Sequence, residues 1–298
     1  MAKIQTALTK SLGIDYPIIG APMFLVSYEE LTIAVSEAGG LGTFPLPNYR
    51  TLDELKEALS VIRGATQKPI GVNIHLHGRF PWKDQLAICL DAGVSFFITS
   101  LGDPRLIIDD VHKNDGKVFA DVITLRQGIK ARDRGVDGLV AVAAGAGGHG
   151  GTVPTMILVP YLREKTGLPI IAAGGISNGQ QMAAAIGIGA CGVISGTRFI
   201  LAHEARTKPG YKEAVIQSGP EDIVSTDRLT GNRANWIAKS IESIDTVPDL
   251  SSKKWLNYWS AGQSVAQSES EKPAAVIIKE MVVDYEKTVK MLNSTVSE

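Results

Sequence analysis

"PIIAAGGISNGQQMAAAIGIGACGVISG", residues 169–196, holds one complete strand–helix–strand unit. The apolar run 169–174 reads as a strand that ends on Gly174 and Gly175. Asn178 is placed to cap a helix over 178–189, and 191–196 reads as a second strand ending on Gly196. A strand, a crossover helix and a strand at this spacing pair as parallel neighbours.

The same unit recurs upstream. Strands are expected at 17–22, 40–45, 69–74, 94–100, 117–123 and 137–144, with helices at 27–39, 51–64, 82–92, 103–114, 125–135 and 154–167. Ser27 with Glu30, and Thr51 with Glu54, have the spacing of capping boxes. Pro160 predicts a break or kink in the 154–167 helix. Eight such units, each of roughly 20–25 residues, predict an α/β fold, a closed (β/α)8 TIM barrel over residues 1–205. Residues 206–270 are more polar, break the alternation and hold Trp236, Trp255 and Trp259; they read as a small helical cap. An amphipathic helix over 273–293, within a final segment 271–298, is expected to pack back on the barrel.

Composition narrows the function. The chain has 298 residues, 44% hydrophobic and 20% charged, with a formal net charge of −1, so a large core is available and no basic stripe suggests nucleic acid. Cys89 and Cys191 sit in apolar runs and form no metal or redox pair, which fits a reducing compartment. The start, MAKIQTALTK, lacks the apolar core of a signal peptide, and no apolar run reaches membrane-spanning length. A cytoplasmic protein without a membrane partner is expected.

Barrel chemistry sits at the C-terminal ends of the strands, so the residues there are the candidates. After strand 1 come Ala21, Pro22 and Met23; strand 3 offers Asn73; strand 7 leads to Gly174 and Gly175, and strand 8 to Gly196 and Thr197. The loops after strands 7 and 8 commonly form a phosphate site in barrels, because glycine lets an anion reach backbone N–H groups. Tight turns alone would also use these glycines. Asn73 is suited to bond a planar heterocycle or, equally, to cap a turn.

After strand 6 comes "GAGGHGG" (145–151). Gly145, Gly147 and Gly150 fit G-x-G-x-x-G, but no acidic residue stands about 20 positions on, and the motif follows the sixth strand rather than the first. A dinucleotide fingerprint is therefore disfavoured. A loop this rich in glycine can lie flat beside a planar ring and project His149 into the mouth, where an imidazole suits proton transfer near neutral pH. His75 and His77 alternate after strand 3 without an evident third metal ligand, and read as a wet rim. Arg198 and Glu204 are expected to pair on the last barrel helix, and Cys191 to be core.

These stretches, with "PIIGAPM" (17–23), "AVSEAGGLGTF" (34–44), "GVN" (71–73) and "AGQS" (261–264), resemble the FMN-dependent nitronate monooxygenase (2-nitropropane dioxygenase) family. The resemblance is clear over about 17–205 and fainter beyond. It implies an FMN-binding barrel in which Ala21, Pro22 and Met23 line the isoalloxazine and Asn73 bonds it. Gly147 and Gly148 would lie beside the flavin, and Gly174, Gly175, Gly196 and Thr197 would hold its phosphate. His149 matches the family's active-site histidine. Gly145 stands where the family usually has Glu, and Asp121 where Lys is common. The implied activity is oxidation of alkyl nitronates by O2 through reduced flavin. Alternatives on the same scaffold are an NAD(P)H-dependent reductase of an enoyl thioester or quinone, and a non-catalytic flavin binder. The expected partners are a small-molecule substrate and either O2 or NAD(P)H, with assembly as a homodimer left open.

Overall fold

The computed structural model describes residues 3–77, 80–242 and 258–296. Eight parallel strands form one sheet: β1 (Ile18–Gly20), β2 (Gly42–Pro45), β3 (Ile70–His75), β4 (Phe96–Ser100), β5 (Lys117–Val122), β6 (Gly138–Val142), β8 (Ile170–Ala173) and β9 (Gly192–Ser195). Neighbours follow chain order, and β9 returns to pair with β1. The ring closes at Leu41, just before β2. Its N–H donates to the Ile18 carbonyl at 2.9 Å and its carbonyl accepts from Gly20 N–H at 3.0 Å. The chain is a (β/α)8 barrel, with every expected strand within two residues of its predicted ends.

Alternation along each strand sorts side chains into two cores. Ile19, Phe96, Ile98, Phe119, Val140, Ile171 and Ile194 fill the barrel, while Ile18, Phe97, Val118, Leu139 and Ile170 face the helices. Two inward phenylalanines need space on adjacent strands. A Cβ at Gly138 would stand 2.1 Å from Phe119 Cε1, and one at Gly71 would stand 2.9 Å from Phe96 Cδ1.

The strand–helix alternation begins only at residue 17, but a helix precedes it. Helix α1 (Ala7–Leu12) closes the bottom of the barrel by adding Leu8 and Leu12 to the inner core. The outer helices are α2 (Glu29–Glu37), α3 (Leu52–Ala65), α4 (Trp82–Asp91), α5 (Arg105–Lys113), α6 (Leu125–Arg132), α7 (Thr155–Thr166) and α8 (Gly179–Gly187). Thr51 and Asn178 cap α3 and α8 as their spacing predicts. Ser27 does not cap α2, whose N-cap is Tyr28. Its hydroxyl instead donates to the Ala21 carbonyl at 2.7 Å and accepts Met23 N–H at 3.1 Å, so it folds the loop after β1. Helix α7 runs through Pro160 without ending.

Helix α9 (Thr197–Ile200) follows β9. The segment expected to be a helical cap carries α10 (Pro209–Gln217) and the short α11 (Ala238–Ile241), but also two strands, β10 (Ile223–Thr226) and β11 (Ala234–Ile237). These pair antiparallel with each other, and β11 pairs with a further two-residue strand, β7 (Gly148–His149). Trp236 is fully buried and Trp259 stacks on Tyr211 at 5.6 Å, whereas Trp255 lies outside the described residues. The last helix, α12 (Ala274–Ser294), packs on α8 and α2. Arg198 and Glu204 do not pair with each other. Arg198 is buried against Glu280 at 3.6 Å and the Ser270 carbonyl at 2.9 Å, and Glu204 accepts the N–H of Ala274 at the start of α12. Cys89 and Cys191 are both buried and unbridged.

The Phe119–Gly138 contact sets a test of the inner core. Gly138→Ala is expected to lower unfolding free energy by about 1–3 kcal/mol, because the added methyl overlaps the ring. Adding Phe119→Leu should recover part of that loss in urea denaturation. A double variant no more stable than Gly138→Ala alone would mean that the methyl is accommodated elsewhere.

Candidate active site

The parity that buries Phe119 in the barrel puts Asp121 at its mouth, two residues on. The same rule brings Asn73 and His75 up from β3 and Ser100 from β4. These ends open into a cavity of about 780 Å³, roofed by residues 206–211 and 258–264. All eleven candidate residues line it: Ala21, Pro22 and Met23 after β1, Asn73 on β3, Gly147, Gly148 and His149 after β6, Gly174 and Gly175 after β8, and Gly196 and Thr197 after β9.

The glycine-rich stretch is not a loose loop. Gly148 and His149 form β7, in register with Asn235 and Ala234. Buried Asn235 donates both amide hydrogens to this stretch, to the Ala146 carbonyl at 2.7 Å and the Ala144 carbonyl at 2.8 Å. Gln263 N–H donates to the Gly145 carbonyl at 3.2 Å, and Gly262 N–H to Thr197 Oγ1 at 2.9 Å. The late "AGQS" segment thus binds both the His149 stretch and the β9 end. Backbones meet closely here. A Cβ at Gly147 would come within 2.9 Å of the Ala261 carbonyl carbon, and one at Gly145 within 3.1 Å of Gly175 N.

Gly174 and Gly175 turn through φ of +115° and +74°, conformations that glycine adopts freely. Nothing lies within 4 Å of where a Gly175 Cβ would stand, so the end of the cavity is open beside its backbone. Thr207 Oγ1, on the roof, is buried and has no hydrogen-bond partner among the described residues.

His149 Nε2 lies 3.0 Å from Thr230 Oγ1, whose own proton goes to the Asn232 carbonyl at 2.9 Å. The hydroxyl therefore accepts from His149, which puts the imidazole proton on Nε2 and the basic lone pair on Nδ1. Burial lowers the His149 pKa. His75 is lowered too, first by burial and then by the neighbouring charges of His149 and His77. Both rings are neutral near pH 7. His75 packs edge-on against Phe80 and lines the cavity; His77 does not. Among the described residues, no three His, Cys, Asp or Glu side chains could hold a metal ion.

Asp121 is exposed to the cavity. Partial desolvation by the neighbouring strand ends pushes its pKa up to about 6, against the opposing pull of a 2.5 Å hydrogen bond from Ser100 Oγ. Sequence marks Asp121 as an unusual residue. Ser100 and Asn235 carry no motif, and their roles appear only once the strands are paired.

The Asp121 shift has a sign. The native carboxyl holds its proton to higher pH than the ordinary value of 3.8, so the stability it contributes falls as pH rises from about 4 to about 6 and stays low above. Asp121→Asn removes that penalty. Its gain in Tm over the parent should be larger near pH 8 than near pH 5; an equal gain at both would refute the raised pKa.

The model of the nitronate monooxygenase family matches residues 5–81 and 74–291. A carboxyl-CoA dehydrogenase of Mycobacterium tuberculosis, acting by its name on a hydroxy-methyl-oxo-octahydroindene, is 32% identical over 77% of this chain. The chain spans 65% of that relative's length. A probable nitronate monooxygenase of Staphylococcus saprophyticus is 28% identical, over 83% of this chain and 84% of its own. Among solved structures, FabK from Thermotoga maritima is 31% identical with a TM-score of 0.89, covering 98% of this chain and 100% of its own. Nitroalkane oxidase from Streptomyces ansochromogenes, at 24% identity and a TM-score of 0.85, shares the fold. With a family match running over nearly its whole length, the chain belongs to the nitronate monooxygenase family of oxidoreductase enzymes.

Proposed function

We propose that the chain is an FMN-dependent oxidoreductase of the nitronate monooxygenase type, oxidising alkyl nitronates with O2. The observation that carries this is the convergence, in one cavity, of three glycine-bearing strand ends and a histidine held in a strand. The residues fit the cofactor. The open turn at Gly174 and Gly175, with Gly196 and Thr197 beside it, suits the phosphate. Gly147 and Gly148 offer backbone without side chains to a flat ring in the cavity that Ala21, Pro22 and Met23 also line. Asn73 donates both amide hydrogens to the protein, which leaves its Oδ1 to accept from a ring N–H. Bound FMN would supply the electron acceptor.

His149 moves the proton. Where a nitroalkane enters in its neutral form, the neutral ring takes the proton from the carbon next to the nitro group, the electron pair staying on the nitronate that is then oxidised, while Thr230 orients the ring at Nε2. The walls of Pro22, Met23 and Tyr211 exclude water from a small apolar substituent.

A second reading, reduction of an enoyl thioester or quinone by NAD(P)H, is favoured by the likeness to the carboxyl-CoA dehydrogenase. The two part in an anaerobic stopped-flow experiment on the yellow protein. Bleaching by nitroethane or its nitronate without nicotinamide is the expected result. Bleaching only by NADH or NADPH would replace the first reading with the second.

His149→Ala should leave FMN bound and slow turnover by about a hundredfold or more. In the parent, kcat/KM should fall as pH drops below the ordinary histidine value, because a protonated ring cannot accept; that limb should vanish in His149→Ala. Unchanged turnover in His149→Ala would remove the histidine from the mechanism and point to a flavin binder without this chemistry.

A further inference from the structure

One run of hydrogen bonds ties three consecutive strand ends together at the barrel mouth. Asn73 on β3 is buried, and both of its amide hydrogens are committed, one to the Ile98 carbonyl at 3.1 Å and the other to Ser100 Oγ on β4 at 2.8 Å. A hydroxyl has a single proton, and that of Ser100 goes on to Asp121 Oδ2 on β5 at 2.5 Å.

The direction of this run is set at both ends. The Ile98 carbonyl can only accept, so it takes the amide nitrogen of Asn73 and not the oxygen. An ionised Asp121 can only accept as well, so it claims the Ser100 proton and leaves that hydroxyl a lone pair for Asn73. Ser100 is the one hydrogen-bond partner of the Asp121 carboxylate among the described residues, and no charged group among them draws it away. Asn73 Oδ1 is left without a partner among the described residues, on a side chain that lines the cavity. With Ile98 alone, the amide plane could turn about its one bond. The second bond, at Ser100, fixes the plane and so aims the oxygen.

We infer that Ser100 and Asp121 are positioning residues for the cofactor: together they hold Asn73 Oδ1 as an acceptor that selects a flavin by its ring N–H. The inference rests on the FMN reading and is indifferent to the choice of substrate. Asp121 acts here by accepting from Ser100 and not by its charge, so an amide oxygen in its place would serve.

Oxidised FMN has one ring N–H, and methylating that nitrogen removes the donor. Fluorescence titrations of the full chain, freed of flavin, compare the two ligands near pH 8, where Asp121 is ionised. The parent is expected to bind FMN at least about tenfold more tightly than the methylated flavin. Ser100→Ala and Asp121→Ala should each narrow that preference to about threefold or less, by weakening FMN. Ser100→Thr keeps the hydroxyl and Asp121→Asn keeps an acceptor oxygen, so both should retain the parent's preference. A parent that binds FMN but shows no preference, a preference that survives both alanine variants, or an Asp121→Asn variant that loses it as fully as Asp121→Ala would overturn the inference and leave the FMN reading standing. A parent that binds neither flavin would overturn both.

Discussion

Closure of the sheet is the constraint on which the rest depends. Two hydrogen bonds at Leu41 join β1 to the start of β2, and with them every strand gains two neighbours. A closed ring has a definite inside, so the alternation of each strand becomes an assignment of place. Ile19, Phe96, Phe119 and Ile171 fill the ring, and the next inward residues, Asn73, Ser100 and Asp121, have only the mouth to occupy. The chemistry of the site follows from the packing of the layer beneath it. The fit of Phe119 against Gly138 and of Phe96 against Gly71 fixes that layer at a height where side chains on three strands can touch.

The roof completes the cavity through backbone rather than side-chain packing. Asn235 grips two carbonyls of the His149 stretch, and Gly262 and Gln263 bind Thr197 and Gly145. His149 is thereby a strand residue with a partner on each side of its function: Ala234 for its backbone and Thr230 for its ring. A lone histidine in a run of glycines would be poorly aimed. Here its direction and its tautomer are both imposed by residues from the cap.

Much of this was legible in the sequence, for a physical reason. Parallel barrel strands are short apolar runs bounded by glycine, and the helices between them carry their own caps, so the alternation from residue 17 onward reads directly. The strand-end filter then collected residues that do meet in one cavity. What escaped was non-local or masked by composition. Gly148 and His149 show no strand pattern, because their partner, Asn235, comes from the far cap. The cap strands "IVST" and "ANWI" are too short to outweigh a helical reading of polar sequence. Ser27 had the right spacing for a cap box, but the chain needed its hydroxyl to fold the Ala21–Met23 loop. The relation of Ser100 to Asp121 exists only across a strand pair, and no single stretch of sequence contains it.

The seam between Gly145, Gly147 and Gly262 divides the site by its tolerance of change. A Cβ at Gly262 would stand 2.4 Å from the Gly145 carbonyl oxygen, and one at Gly147 2.9 Å from the Ala261 carbonyl carbon. Neither can gain a side chain without prising roof from barrel. Asp121, His75 and Met23 face open space instead. New specificities, whether drifted into or selected in a library, are therefore reached through the strand ends, while the glycine seam stays fixed as a chassis. A mutagenesis scheme that randomises the conspicuous GAGGHGG stretch would mostly sample broken proteins, and one that spares it for the quieter floor residues would sample chemistry.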